Sequence, residues 1–135
     1  MDTVLFACVH NAGRSQMAAA WFNKLCDRNK AIAISAGPKP GEQVHHAVVE
    51  AMLEVGIDLS KVRPKLLTAE VAQRATLLVT MGCGDACPYV PGLQKLDWPL
   101  RDPKGQSIEV VREIRDGIRQ RVLDLGKERH WVSNH

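Results

Sequence analysis

The stretch TVLFACVHNAGRS, residues 3–15, decides the fold of this chain because it passes from one kind of local structure to another. Thr3–Ala7 is a continuous apolar run rich in β-forming residues, which predicts a buried parallel strand. Ser15–Asn29 predicts a helix, since its apolar side chains recur every three or four residues and make one face. The residues between them are therefore expected to join the carboxyl end of a strand to the start of a helix.

The same alternation of strands and helices continues along the rest of the chain. Three further strands are predicted at Ala31–Ser35, Thr76–Met81 and Lys95–Trp98. Three further helices are predicted at His46–Val55, after the N-cap Thr68, and over Ser107–Lys127. Gly56 and Gly126 are expected to end the helices that they follow. This order predicts an α/β three-layer sandwich, in which helices cover both faces of a four-stranded open parallel sheet.

Length and composition indicate one globular domain over residues 1–135. The chain has 45% apolar and 24% charged residues, an ordinary globular composition, and no apolar run approaches the ~20 residues of a membrane span. Asp2 stands where a signal peptide would carry a basic residue, so we expect a cytoplasmic protein. The net charge of +3 is too small to predict nucleic-acid binding, and a monomer is the default expectation.

The predicted sheet brings two loops to the same edge. In open parallel sheets, ligands bind beyond the carboxyl ends of the strands, where the strand order switches. The loop that begins at Cys8 and the turn-rich segment Gly82–Gly105 each follow a predicted strand, so both are expected at that edge. We therefore expect a functional site between them.

A cysteine and an arginine separated by five residues occupy the first loop, at Cys8 and Arg14. Such a loop can turn successive backbone N–H groups inward as an anion-binding nest, and the start of the next helix adds its positive dipole end. Arg14 can close over the anion with two parallel N–H bonds. The residues expected to bind a tetrahedral oxyanion are His10, Asn11, Ala12, Gly13, Arg14 and Ser15.

The same positive field acts on the sulfur of Cys8. A thiol at a helix N-terminus beside an arginine ionises readily, so we expect a thiolate at neutral pH. A hydrogen bond from Ser15 would stabilise the thiolate further, and Asn11 would hold the loop through its backbone. A buried cysteine at a strand end is the alternative interpretation, but it leaves the matching positions of Arg14 and Gly13 unexplained. Cys8 is therefore predicted to be a nucleophile beneath a bound oxyanion.

Residues 8–18, CVHNAGRSQMA, resemble the signature of arsenate reductases built on the low-molecular-weight tyrosine phosphatase fold. The resemblance extends to Ser35–Gly37, Val79–Cys83, Cys87-Pro88 and Trp98–Pro103. It therefore covers most of the chain before the last helix. The resemblance implies the fold of that superfamily and the reduction of arsenate to arsenite through a covalent adduct on Cys8.

Asp102 is the predicted proton donor, because an oxygen that leaves a sulfur-bound oxyanion needs a proton. Asp102-Pro103 resembles the pair that supplies the general acid in this family, and Pro103 restricts the backbone beside the carboxyl group. An ordinary Asp-Pro turn is the alternative. Asp97 is a second candidate for the acid.

Two further cysteines, Cys83 and Cys87, distinguish a reductase from a phosphatase, because reduction requires electrons. We predict that Cys83 attacks the Cys8–arsenic adduct, which releases arsenite and leaves a Cys8–Cys83 disulfide. Cys87 then attacks Cys83 and moves the disulfide outward. Half of a zinc site and a pair of buried small residues are the alternatives. No bound metal is expected, because no second pair of ligands completes a zinc site, and Ala19 stands where some relatives carry a glutamate that supports a potassium ion.

The predicted function is reduction of arsenate without a tightly bound cofactor. The resemblance implies an external reductant, either thioredoxin or mycothiol with mycoredoxin. A low-molecular-weight protein tyrosine phosphatase using Cys8, Arg14 and Asp102 is one alternative, and a non-catalytic oxyanion-binding module is another. Few aromatic residues lie near Asp102 to stack on a phosphotyrosine ring, and a binding module would need neither the acid nor the second pair of thiols.

Overall fold

Strands and helices alternate along the chain in the computed structural model, which describes residues 1–82 and 90–132. Within these ranges the strands are β1 Asp2–Ala7, β2 Ala31–Ala36, β3 Leu77–Thr80 and β4 Gln94–Asp97. The helices are α1 Arg14–Leu25, α2 His46–Leu53, α3 Ala69–Gln73 and α4 Ile108–Glu128. The predicted order of elements is confirmed, and most boundaries differ by only a residue or two. None of the helices in the described ranges is long and apolar enough to cross a membrane.

The strands form one parallel sheet in the order β2-β1-β3-β4. Phe6 in β1 lies opposite Ser35 of β2 on one side and opposite Val79 of β3 on the other. The chain thus runs from β1 to one neighbour and then crosses to the opposite side of β1. This reversal makes the carboxyl end of β1 the switch point of the sheet, and the loop that begins at Cys8 starts there.

Alternate side chains of β1 enter two hydrophobic cores, one on each face of the sheet. Val4 and Phe6 belong to the larger core, which includes side chains of α1, α2 and α4. Leu5 and Ala7 belong to the smaller core, to which α3 contributes Ala72. Burial on both sides explains why the sequence of β1 is continuously apolar. Helices cover both faces, and the predicted fold class is confirmed.

Gly56 ends the α2 region as predicted. Its φ of +83° is left-handed, and the N–H of Ile57 donates to the carbonyl oxygen of Met52 at 3.0 Å. This is a helix C-cap in which a left-handed glycine lets the N–H of the next residue bond a carbonyl oxygen of the last helical turn.

The prediction that Gly126 ends the last helix is wrong. α4 continues to Glu128, and His130 takes the left-handed conformation with φ +61°. Gly126 serves close packing instead, because a Cβ there would overlap Val132 and would lie 3.1 Å from the sulfur of Cys26.

The first helix is shorter than predicted, ending at Leu25 and not at Asn29. Cys26 is already extended, and the N–H of Asp27 donates to the carbonyl oxygen of Trp131 at 2.8 Å. The helix therefore ends early because the chain bonds a segment about a hundred residues away. Periodicity cannot predict such a contact.

Candidate active site

The β1–α1 loop, residues 8–13, is anchored on its outer side by backbone hydrogen bonds. The carbonyl oxygens of Val9, His10 and Ala12 accept from the N–H groups of Lys39, Gly41 and His45 at 3.0, 2.9 and 2.9 Å. Within the described residues, the backbone N–H groups of residues 10–14 donate to no protein acceptor. A loop whose carbonyl groups are bonded while its N–H groups have no protein acceptor can form an anion-binding nest.

Asn11 holds this loop in a left-handed conformation, with φ +49°. Its Oδ1 accepts from the backbone N–H of Lys65 and from Gln16 Nε2, both at 2.9 Å. A backbone N–H can only donate, so the oxygen of the Asn11 amide must lie at that end. The other end, Nδ2, therefore donates to Ser15 Oγ, 2.7 Å away.

Ser15 can donate its hydroxyl proton to the sulfur of Cys8. Ser15 Oγ lies 2.8 Å from Cys8 Sγ, and it already accepts from Asn11, so its own proton can be donated to the sulfur. Both residues are buried, and Cys8 is only 2% exposed. A donated O–H favours the thiolate, which is the nucleophilic form of a cysteine.

Arg14 is buried, and its guanidinium contacts the segment that carries the predicted acid. Nη1 donates to the carbonyl oxygen of Leu100 at 3.0 Å, and Nη2 lies 3.7 Å from Asp102 Oδ2. Gly82 leaves room for this guanidinium, since a Cβ there would lie 2.5 Å from Nη1. Arg14 therefore joins the β1–α1 loop to the loop before α4.

The Asp102 side chain is oriented by a hydrogen bond from the backbone two residues further along the chain. Its Oδ1 accepts from the N–H of Lys104 at 3.0 Å, and its side chain is 47% exposed. Pro103 is buried against the loop, where its Cγ lies 2.7 Å from the position that a Cβ on Gly13 would take. The absence of a side chain at Gly13 lets the Asp102-Pro103 pair approach this closely.

Asp97, the other candidate acid, lies elsewhere. It accepts from Thr80 Oγ1 at 2.8 Å, at the carboxyl ends of β3 and β4. Of the two carboxyl groups, Asp102 is the one that lines a cavity with Cys8 and Arg14.

A small cavity lies between the β1–α1 loop and Asp102. It is lined by Cys8, His10, Ala12, Gly13, Arg14, His45 and Asp102. Four of the residues predicted to bind an oxyanion are thus brought together. The other two, Asn11 and Ser15, are fully buried and do not line the cavity. Asn11 bonds Ser15, and Ser15 in turn bonds Cys8, which does line it.

His45 is a lining residue that the sequence did not predict. Its backbone N–H donates to the carbonyl oxygen of Ala12. Its ring lies near Gly13, with Cδ2 3.5 Å from the position that a Cβ on Gly13 would take. Burial lowers the pKa of His45 below its ordinary 6.5, an effect that the charge of Asp102 partly opposes. A histidine just before a predicted helix carries no local signal for a site, because only the crossing of two distant segments places it there.

The other predicted sulfur chemistry falls partly outside the described residues. Cys83 and Cys87 lie in the segment that the structure does not describe, so the relay stays a prediction. Cys26 is buried in the larger core, where burial raises its pKa to about 11. In residues 1–82 and 90–132, no three His, Cys, Asp or Glu side chains are grouped so as to hold a metal ion.

Comparison with known proteins links this geometry to one family. The family model for low molecular weight phosphotyrosine protein phosphatase matches residues 3–130. A putative arsenate reductase from Halobacterium salinarum is 40% identical over 127 residues, which cover 91% of this chain and 89% of the relative.

Two solved structures share the fold. A thioredoxin-dependent arsenate reductase from Corynebacterium glutamicum aligns with a TM-score of 0.80 and 39% identity over 95% of this chain. The aligned chain spans only 61% of that protein's length. A low molecular weight protein tyrosine phosphatase from T. tengcongensis aligns with a TM-score of 0.79 and 26% identity, over 95% of this chain and 99% of its own.

We expect Gly37→Ala to displace the β1–α1 loop. A Cβ at Gly37 would overlap the carbonyl oxygens of Cys8 and Val9 and would lie 3.0 Å from Asn11 N. Because these are backbone atoms, relief requires movement of the loop itself. The variant should lose ~2 kcal/mol of unfolding free energy in urea and bind phosphate about tenfold more weakly by calorimetry.

Gly41→Ala is the matched control for this prediction. The nearest atom to a Cβ at Gly41 is the Cβ of Ala12, at an ordinary 3.7 Å, so phosphate affinity should stay within about twofold of the unsubstituted protein. Equal phosphate affinity in both variants would show that the loop does not form the binding surface.

Proposed function

This chain belongs to the low-molecular-weight phosphotyrosine protein phosphatase family, and on that premise we propose that it reduces arsenate to arsenite with Cys8 as the nucleophile. The proposal rests on the polar groups that converge around one buried sulfur, that of Cys8. Ser15 Oγ lies 2.8 Å from it, the loop residues His10, Ala12 and Gly13 line the adjoining cavity, and Arg14 lines the same cavity. The Halobacterium and Corynebacterium relatives, both named arsenate reductases, support arsenate as the substrate.

In the first step, the sulfur of Cys8 attacks the arsenic of a bound arsenate. A sulfur–arsenic bond forms as the bond between arsenic and one of its hydroxyl groups breaks, and that hydroxyl leaves as water after taking a proton from Asp102. The N–H groups of the loop and the Arg14 guanidinium stabilise the charge on the remaining oxygens, and they are already in place before the substrate arrives. Arsenic stays in its +5 state in this step.

Reduction follows when the Cys83 thiolate attacks the sulfur of Cys8. The electron pair of the sulfur–arsenic bond passes to arsenic, which leaves as arsenite in the +3 state, and the two sulfurs form a disulfide. Cys87 then attacks Cys83, so that Cys8 is released as a thiolate. This relay rests on the chemistry of the sequence, since both cysteines lie outside the described residues.

An external thiol reductant must return two electrons to the resulting disulfide. The Corynebacterium relative is named as thioredoxin-dependent, which supports a thioredoxin-like protein as the partner. Mycothiol with mycoredoxin is the second choice, because a small thiol could attack the Cys8 adduct directly and bypass Cys87.

A phosphatase activity toward phosphotyrosine is the second candidate, since the T. tengcongensis phosphatase shares the fold. A phosphotyrosine ring needs an aromatic wall beside the phosphate site. The cavity has no Phe, Tyr or Trp among its described lining residues. Trp98 is buried against Phe6, with ring centroids 5.6 Å apart, and is not available for this role. This lining favours a small oxyanion over an aryl phosphate.

We expect the fully reduced protein to release about one arsenite per chain when it is mixed with arsenate and no external reductant. Cys8→Ser should release none, because no adduct forms. Cys83→Ser should stop at the adduct, whereas Cys87→Ser should complete the first turnover but fail to recycle with thioredoxin. Arsenite is measured by chromatography with elemental detection, and the adduct by intact mass.

Cys26→Ser is the matched control for the cysteine series, since its thiol lies in the core and away from the cavity. It should release as much arsenite as the unsubstituted protein. Full arsenite release by Cys83→Ser without added thiol would refute the internal relay.

Asp102→Asn should lower kcat for arsenate about 100-fold, because the amide keeps the hydrogen bond from Lys104 but cannot supply a proton. The loss should appear in the rate at which the Cys8 adduct forms, measured by rapid quench and mass spectrometry. Asp97→Asn should change that rate less than about twofold. The reverse pattern would transfer the role of the acid to Asp97.

A further inference from the structure

His45 approaches the β1–α1 loop with both its backbone and its ring. Its N–H donates to the carbonyl oxygen of Ala12 at 2.9 Å. It lines the same cavity as Cys8 and Arg14, and its ring carbon Cδ2 lies 3.5 Å from where a Cβ on Gly13 would lie. His45 therefore forms part of the wall of the site although it belongs to neither of the two loops predicted to build it.

The cavity is small, so an oxyanion bound there would contact most of the residues that line it. Cys8 and the loop residues His10, Ala12 and Gly13 line this space together with Arg14, His45 and Asp102. An oxygen of the anion that the loop does not bind is therefore close to the side chains of the last three residues.

We propose that His45 contacts an oxygen of the bound oxyanion that the loop leaves free, and that protonation of its imidazole strengthens oxyanion binding. This inference deepens the proposed function and rests on it. His45 acts as a positioning group for the anion and takes no part in the bond changes at Cys8.

The groups around His45 determine the direction of the effect with pH. Burial comes first and lowers its pKa, and the positive charges of Lys104 and His10 act in the same direction, whereas the Asp102 carboxylate raises it. The free protein therefore favours the neutral form of His45 more than an exposed histidine would. As the pH falls below its pKa, a positive charge appears at the cavity, and oxyanion affinity should rise.

A bound dianion must raise the pKa of His45 in return. Binding and protonation are linked, so each favours the other by the same factor. The inference thus makes two predictions, one for affinity and one for titration.

Sulfate is the probe, because it stays a dianion between pH 7.5 and 5.5 and its own protonation cannot change the result. Sulfate affinity, measured by calorimetry, should rise in the unsubstituted protein as the pH falls over this range, by up to roughly fivefold for full protonation, as expected for a unit charge near the anion at a partly solvated site. His45→Asn should lose this gain. Asparagine is chosen because it is a good residue for the position before a helix.

One histidine variant serves as the control. His46 is the neighbour of His45 but lines a different cavity, with Gln43 and Leu59, so His46→Asn should keep the full gain. If His45→Asn retains the gain, the inference is overturned.

Titration of His45 by NMR provides a measurement that does not depend on a variant. Saturating sulfate should move the midpoint of the His45 imidazole titration to higher pH, which a merely structural role would not do. An unchanged midpoint in a protein that binds sulfate overturns this inference and leaves the proposed function intact. A protein that binds no sulfate at any pH in this range would overturn both.

Discussion

The hydrogen bond from the Lys65 N–H to Asn11 Oδ1 sets the direction of the hydrogen bonds that end at Cys8. Because a backbone N–H cannot accept, the Asn11 amide has one allowed orientation, and its Nδ2 must donate to Ser15. Ser15 Oγ, which accepts from Asn11, can donate its own proton to the sulfur. The state of the nucleophile is thus tied to a backbone contact 54 residues further along the chain.

This arrangement requires burial of several polar side chains, and each of them has a partner. Asn11, Ser15, Gln16 and Arg14 are all buried, and an unpaired polar group in such a place costs about 1–3 kcal/mol. Gln16 donates to Asn11, Asn11 to Ser15, and Arg14 to the Leu100 carbonyl oxygen. The loop is consequently held in its binding shape before any anion arrives, which is the condition under which fixed dipoles stabilise a transition state most effectively.

The sequence predicted the parts of the site that are local and missed the parts that depend on chain crossing. Cys8, Arg14 and Ser15 could be predicted because a strand-to-helix loop brings them together within a few residues. His45 and the contact between Arg14 and Leu100 could not, since they join segments that periodicity leaves unrelated in space. Gly126 shows the same limit, because its contact with Cys26 depends on how two helix ends pack and not on a local stop signal.

The central claim is that the sulfur of Cys8 and one tetrahedral oxyanion share the concave side of the β1–α1 loop. It is tested most directly by the rate at which iodoacetamide alkylates Cys8, followed by peptide mass spectrometry as phosphate is added. The account predicts that Cys8 reacts in the folded protein and that phosphate protects it to saturation, while Cys26, buried and with a raised pKa, stays unlabelled throughout. Alkylation of Cys8 at the same rate at every phosphate concentration, or only on unfolding together with Cys26, would contradict it.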